Sequence, residues 1–311
     1  MSAKNRFSII TIHRNGINRL RTFLNSAESV IDKAQDTITV VDNHSTDDSI
    51  EVLSQEFPNV KFISNNFNMG YAYACNQGIT SSDGKFILIC NNDLILPKGI
   101  LSQLETDFEQ YPQAGLIGGQ LISEGGKLST SAGKSTTLLT ELGLHKHKKI
   151  QPHENITVVE SVVGACMAVR RSVVDTAGML DPEFFFYYEE SEWCIRIRQH
   201  GWQILLDKRL QIIHTGGAST QAVFAGARVE YHRSRLHFWK KVFPRQYYLL
   251  HTWTTLKMVL SSIYYTLIYC LSLGQAKKVK WRLMNHLVTL TWLALGKPKD
   301  WGLPDKEPSY N

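Results

Sequence analysis

Four short segments of this chain gather the residue types that bind polar ligands or move protons. In the first, VVDNHSTDD at residues 40–48, Asp42 ends an apolar run. A carboxylate at a strand tip can accept hydrogen bonds from a base or ribose without desolvating a whole ion pair. Asp47 or Ser45 in the same segment can instead cap the helix that follows. In the second, Cys90-Asn91-Asn92-Asp93 places one carboxylate beside two amides. That set suits a hard divalent cation that keeps waters and takes phosphate oxygens from a substrate. The plainer alternative is a polar loop in which Asp93 starts a turn before Pro97. In the third, FFFYYEESEW at residues 184–193, five aromatics run into Glu189, Glu190 and Glu192. Aromatic walls desolvate a carboxylate and raise its pKa, as a general base requires. Acids also favour a helix N-terminus through the macrodipole. In the fourth, His214-Thr215 precedes Gly216-Gly217, glycines that let backbone N–H groups approach an anion. His214 is then a candidate metal ligand, or a satisfied core histidine.

The elements that must position these residues are legible as alternating patterns. Residues 7–12, 37–41, 60–63 and 85–90 read as strands, and 17–30, 49–55 and 71–80 as the helices between them. Such alternation indicates βαβ units and a mostly parallel sheet, with ligands gathering beyond the carboxyl ends of the strands. His13, Arg14, Asn15, Asp42 and residues 91–93 occupy that position. Residues 124–157, including the basic run His145–Lys149, read as a loop-rich insertion near the site. Residues 189–200 read as a helix, and 203–206 and 211–214 as two short strands.

The 311 residues are 43% hydrophobic and 20% charged, ordinary globular usage that excludes a disordered chain or a many-span membrane protein. Cys75, Cys90, Cys166, Cys194 and Cys270 form no C-x-x-C pair. This argues against a disulfide scaffold or structural zinc and fits a reducing compartment. The N-terminus lacks the apolar core of a secretory signal.

The net charge of +6 is unevenly spread. Residues 231–311 hold 13 Lys and Arg against 3 Asp and Glu, whereas residues 1–230 hold 21 against 25. In the tail, 229–242 reads as a basic aromatic helix and 256–273 is uncharged apart from Lys257. As a helix that run spans roughly 27 Å, marginal for a bilayer core of about 30 Å. Residues 281–295 place leucines near one face behind the basic cluster of residues 277–282. Cationic flanks, interfacial aromatics and apolar faces suggest helices lying on an anionic membrane surface. The alternative is packing on the catalytic body or on a second subunit, as in a homodimer.

Taken together, the motifs resemble the family-2 inverting glycosyltransferases, bacterial nucleotide-sugar enzymes with the GT-A fold. The resemblance runs from about Phe7 to Lys241. It rests on VVDNHSTDDS, on NNFNMGYAYACNQGI with Asn68, Gly70, Asn76 and Gly78, and on CNND at the D-x-D position. The blocks FFFYYEESEWCIRIRQHGW, HTGGAS and YHRSRLHFWKK follow in order. The subgroup most similar in look contains rhamnosyltransferases of O-antigen and other surface polysaccharides. The chain departs from the family pattern in reading His13-Arg14-Asn15 for T-Y-N, Asn91 for the first D-x-D acid, and Glu189-Glu190-Ser191-Glu192 for E-D-x-D.

The resemblance implies an α/β GT-A catalytic domain over 1–228, with a nucleotide-sugar half (1–120) and an acceptor and catalytic half (121–228). A basic amphipathic helical region follows over 229–311. It implies donor contacts from His13, Arg14, Asn15, Asp42, Asn68, Gly70, Asn76, Asn91 and Asn92. Asp93 and His214 would hold Mg²⁺ or Mn²⁺, and Glu190 would be the base, with Glu189 and Glu192 as alternatives. Gly164, Ala165 and Trp193 would shape the acceptor side. The implied donor is a dTDP- or UDP-sugar, and the acceptor a polyprenyl-diphosphate-linked saccharide at the cytoplasmic face of the membrane. A catalytically inactive sugar-nucleotide-binding protein and a nucleic-acid-binding α/β protein are the competing readings. The apolar runs between the tail's basic groups argue against nucleic acid.

Overall fold

The computed structural model of the protein describes residues 5–144, 155–215 and 224–306. These divide into two compact units. The first comprises residues 1–135, 147–185 and 189–216, and the second 136–146, 186–188 and 217–311.

The first unit is built on a nine-stranded mixed sheet in the order β3-β2-β1-β4-β10-β6-β11-β5, with β8 paired to β11. Four strands carry the parallel half: β1 (Asn5–His13), β2 (Asp36–Asp42), β3 (Lys61–Ser64) and β4 (Gly84–Asn91). The apolar runs of β1, β2 and β4 do not alternate because both sheet faces are covered there, as parallel sheets require. Helices α1 (Ile17–Glu28), α2 (Ser49–Glu56) and α3 (Tyr71–Thr80) make the crossovers. In α1, Leu20, Phe23, Leu24 and Ala27 fall at helical spacing and are buried. They join a core on one side with Phe86, Leu101 and Phe108. A second core gathers Ala72, Cys75, Val173, Trp193 and Ile197.

The other half departs from the expected parallel pattern. After β5 (Leu94–Ile95), α4 (Ile100–Gln110) and β6 (Ala114–Ile122), the chain forms β7 (Ala132–Gly133), α5 (Leu138–Glu141), β8 (Ile156–Val159) and β9 (Ser161–Val162). Strand β10 (Cys166–Arg170) then enters antiparallel between β4 and β6. Short α6 (Arg171–Ala177) and α7 (Glu189–Gln199) follow. The two short strands expected at 203–214 are one strand, β11 (Gln203–His214), with a register shift between Asp207 and Gln211. The irregularity is pinned by Asp207, whose carboxylate accepts from the Arg209 backbone N–H at 2.8 Å and ion-pairs with its guanidinium. The expected insertion is partly ordered as β7, α5 and β8. Its basic run, 145–149, lies outside the described residues.

The second unit is helical: α8 (Phe224–Val242), α9 (Tyr247–Leu271) and α10 (Lys277–Ala294). Trp239 and Trp292 are its largest buried side chains. Buried Glu230 ion-pairs with Arg233 at 2.5 Å and with Lys306, fixing the C-terminal segment. Glu141 of α5 pairs with Arg235 at 2.5 Å. The five-aromatic run divides between the units, with Phe186, Tyr187 and Tyr188 in this one. Tyr187 and Tyr188 both take left-handed φ values, 75° and 69°. The Ser234 hydroxyl donates to Phe186 O at 2.8 Å, and the Tyr188 hydroxyl meets that of Tyr231 at 3.2 Å. Neighbours of this kind are what hold two non-glycine residues in a costly conformation.

The start of α3 is a backbone position that admits only glycine. Gly70, at φ 85° and ψ 163°, starts α3. A Cβ there would lie 2.8 Å from Phe185 O, the carbonyl that accepts from Tyr71 N at 2.7 Å. Gly70→Ala should therefore lower stability by about 1–3 kcal/mol. Urea unfolding would show this as a lower midpoint with an unchanged slope.

Candidate active site

The parallel register aligns three strand ends. His13 pairs with Asp42 across β1 and β2, and Ile12 pairs with Asn91 across β1 and β4. The loops beyond them interlock. Asn15 Oδ1 accepts from Thr46 N at 2.7 Å, Ser45 Oγ accepts from Asn15 N at 2.9 Å, and Asp47 accepts from Gly16 N at 2.6 Å. Asp42 is 5% exposed. It accepts the Ser45 hydroxyl and, at 3.2 Å, the Ser45 backbone N–H. Burial pushes its pKa up, with the Ser45 hydrogen bonds opposing. Asp47 also accepts from the Ser49 hydroxyl and backbone at the start of α2, so it locks the two loops together.

His13 lies at the root of this arrangement and is fully buried. Its Nδ1 accepts from Asn92 Nδ2 at 2.7 Å, which leaves Nε2–H to donate to Ser49 Oγ at 2.8 Å. Burial lowers its pKa to about 4, so it is a neutral bridge between β1, α2 and the loop after β4. With both ring nitrogens engaged, it holds the strand-end loops in place and offers no atom to a ligand. Arg14, half-buried, follows it.

A second set of amides fixes the segment before α3. Asn43 Nδ2 donates to Asn68 Oδ1 at 2.8 Å and to Gly70 O at 3.2 Å, while its Oδ1 accepts from Met69 N at 2.9 Å. Asn76 clasps Leu180 through both its amide atoms. Asn68, Gly70 and Asn76 thus shape the scaffold. Motif reading does not single out Asn43 or Tyr71. Asn43 directly follows the strand-end acid, a placement that could have marked it. The ring of His44, at φ 68°, lies 6.3 Å from that of Phe67, which is 41% exposed.

Across β4 the antiparallel return brings the other side into place. Asn91 N donates to Ala165 O at 2.8 Å, and the Tyr71 hydroxyl reaches Asn91 Oδ1 at 3.2 Å and Gly164 O at 3.3 Å. A methyl placed on Gly164 would lie 3.4 Å from Cβ and Cγ of Glu190. The backbone there runs directly against the Glu190 side chain.

The three glutamates of α7 have different surroundings. Glu192 holds Arg196 in a two-pronged pair at 3.1 and 2.8 Å, which occupies its carboxylate. Glu189 is 5% exposed, and its Oε2 has no hydrogen-bond partner. Burial, reinforced by the neighbouring Glu190 charge, pushes its pKa well up and favours the protonated form. Glu190 is half-buried and among the described residues forms no ion pair. Burial raises its pKa above the ordinary 4.5. Trp193 does not line this region. It is fully buried in the second core, and its indole N–H donates to Gly178 O at 2.8 Å.

Asp93 and His214 meet at the far edge, where β5 pairs with β11. His214 Nε2 lies 3.3 Å from Asp93 Oδ1, and the carboxylate beside it raises the imidazole pKa. Asp93 Oδ1 is buried and makes no geometrically good hydrogen bond. A carboxylate oxygen turned toward an imidazole nitrogen fits a divalent cation as two of its ligands. Among the described residues no group of three His, Cys, Asp or Glu could hold a metal ion, so further ligands would come from substrate phosphate and water. Gly216, Gly217 and Ser219 lie outside the described residues.

The buried acid carries a testable cost. Because the folded pKa of Glu189 is raised, its protonation favours the fold at low pH, and that contribution drains away as pH rises above 4.5. Glu189→Gln should stabilise the protein at neutral pH, with the gain shrinking toward pH 4.5. Thermal unfolding across a pH series reads this directly.

Comparisons with known proteins agree with this geometry. Residues 8–178, more than half of the chain, match the model of glycosyl transferase family 2. The N-acetylglucosaminyl-diphospho-decaprenol L-rhamnosyltransferase of Mycobacterium tuberculosis is 24% identical over 229 residues, covering 65% of this chain and 74% of that protein. The low-salt glycan biosynthesis hexosyltransferase Agl10 of Haloferax volcanii is 28% identical over 233 residues, covering 71% and 73%. The crystal structure of GalNAc-T7 with UDP, GalNAc and Mn²⁺ superposes with a TM-score of 0.60 at 14% identity, over 98% of this chain and 59% of that one. This likeness is one of fold, and the mixed α/β sheet is consistent with GT-A. With residues 8–178 matched to that model, this chain belongs to glycosyltransferase family 2.

Proposed function

We propose that the protein is an inverting glycosyltransferase that moves a hexose, rhamnose in the first instance, from a dTDP- or UDP-linked donor. The acceptor is a polyprenyl-diphosphate-linked saccharide in surface polysaccharide synthesis of the O-antigen kind. The observation that carries this reading is the sorting of the α7 acids. Glu192 is locked to Arg196, Glu189 is buried, and Glu190 alone keeps a half-buried carboxylate against the Gly164 backbone. The rhamnosyl specificity and the lipid-linked acceptor rest on the name of the Mycobacterium tuberculosis relative. Such an acceptor places the enzyme at the cytoplasmic face of the membrane.

In this reading the nucleotide lies over the ends of β1, β2 and β4. Asp42 receives a hydrogen bond from the base or ribose, and the half-buried His44 and exposed Phe67 rings offer flat faces for the base. His13, Asn15, Asn68, Gly70 and Asn76 hold the loops that make this surface. Arg14, Asn91 and Asn92 stand at its edge. Asp93 and His214 would hold Mg²⁺ or Mn²⁺, a reading supported by the Mn²⁺ and UDP of the GalNAc-T7 structure. The cation supplies charge neutralisation to the diphosphate.

Glu190 takes the proton from the acceptor hydroxyl as its oxygen attacks the anomeric carbon. The bond from that carbon to the diphosphate oxygen breaks on the opposite face, and the nucleoside diphosphate leaves with the electron pair. The transition state is oxocarbenium-like, as in related glycosyl chemistry. The Gly164 and Ala165 backbone sets the distance of the base from the acceptor. A glutamate in place of the family's aspartate lengthens the base by one methylene, and the glycine opposite leaves room for it.

Glu190→Gln should lower kcat by roughly 10²–10⁴, the usual worth of general-base catalysis, with donor affinity nearly unchanged. Because the base works deprotonated, kcat/KM of the parent should fall with acid through a midpoint above 4.5, and Glu190→Gln should lose that limb. A normal rate in the variant would move the base to another residue. Asp93→Ala should abolish the Mn²⁺ dependence of UDP binding in calorimetry without lowering the melting temperature.

A further inference from the structure

The helical unit has an outward face that its own packing does not use. Helix α9 buries Leu250, Met258 and Ser262. Leu249, Leu256, Leu260, Ile263, Leu267 and Leu271 are each at least half exposed and recur at helical spacing. Val259 and Tyr264 widen the stripe, and Lys257 is the single charge in the helix. In α10, Trp281, Met284 and Leu287 are also exposed. They lie beside Lys277, Lys278, Lys280 and Arg282, all exposed. From residue 231 to residue 299 the sequence contains 12 Lys and Arg and no acid. Isolated exposed leucines need no explanation, but a contiguous stripe of this length does.

Three features choose the occupant. No helix among the described residues is long and apolar enough to cross a membrane, so α9, about 37 Å long at 1.5 Å per residue, does not span one. Its stripe is flanked by Val, Tyr and Thr rather than by the charged residues that set pairing in a coiled coil. A two-fold dimer through this face would bring two acid-free cationic surfaces together, whereas an anionic lipid surface complements them.

We propose that the outward faces of α9 and α10 lie in the interface of an anionic phospholipid leaflet. Leu260, Ile263 and Leu267 enter the acyl region, and Lys277, Lys278, Lys280 and Arg282 meet the head groups. The inference stands on the helical unit alone and holds whichever sugar is moved. It places a lipid-carried acceptor and the enzyme on one surface.

The test is co-sedimentation of the full chain, without donor or acceptor, with phosphatidylglycerol vesicles and with phosphatidylcholine vesicles. Binding to phosphatidylglycerol at low salt, released by high salt, is expected. Leu260→Glu with Leu267→Glu should weaken it at least tenfold. Neutralisation of Lys277, Lys278 and Lys280 to Gln should cost about fivefold per cation and remove the preference for phosphatidylglycerol. All five side chains are exposed, so the melting temperature should hold. A full chain that stays in the supernatant with phosphatidylglycerol at low salt overturns the proposal. So does a lipid-free dimer that Leu260→Glu with Leu267→Glu converts to monomer while vesicle binding persists.

Discussion

The candidate site depends on the register of three parallel strands. Pairing His13 with Asp42, and Ile12 with Asn91, brings the ends of β1, β2 and β4 into one row. Slipping one strand by a residue would turn each of its side chains to the other face and scatter the row. Backbone hydrogen bonds continue the register past the strands, from Asn43 N to His13 O at 2.7 Å and from Asn65 N to Asp42 O at 2.9 Å. The neutral His13 ring then spans two of the ends, because Asn92 and Ser49 engage its two nitrogens. The switch in strand order between β1 and β4 opens the crevice where α/β sheets bind ligands.

Antiparallel β10 adds what the parallel half lacks. Its pairing with β4 sets Cys166 opposite Cys90, so the residues just before it, Gly164 and Ala165, arrive beside Asn91. Glu190 meets the chain there. Three glutamates within four residues then differ through surroundings alone. A tenfold difference in proton affinity corresponds to only about 1.36 kcal/mol, so burial readily decides which acid is charged. Burial favours the neutral form of Glu189, Glu192 is spent on Arg196, and Glu190 is the half-buried one of the three.

Much of the first unit was legible in the sequence because strands buried on both faces read as unbroken apolar runs. Strands β1 to β4 and helices α1 to α3 fall within about two residues of the expected positions. In the other half α7 and the span of β11 were legible, but the antiparallel entry of β10 was not. An apolar run such as CMAVR suits either direction, and only the long return through 123–165 sets it. The two readings left open at Asp47 resolve toward scaffolding, since its carboxylate bonds Gly16 and Ser49. His13 and Trp193 show the limit of motif reading. Each sits beside a site residue in sequence, and burial takes it out of reach of a ligand. In the tail, composition showed an apolar, cationic segment, but separating buried Met258 from exposed Leu260 required the packing of the three helices.

The most direct measurement is the anomeric configuration of the product, read by NMR from the coupling at the newly linked sugar. With Glu190 as sole base and no enzyme-bound sugar, the product should carry the configuration opposite to that of the donor. Retention of the donor configuration would contradict a single displacement and, with it, the role of Glu190.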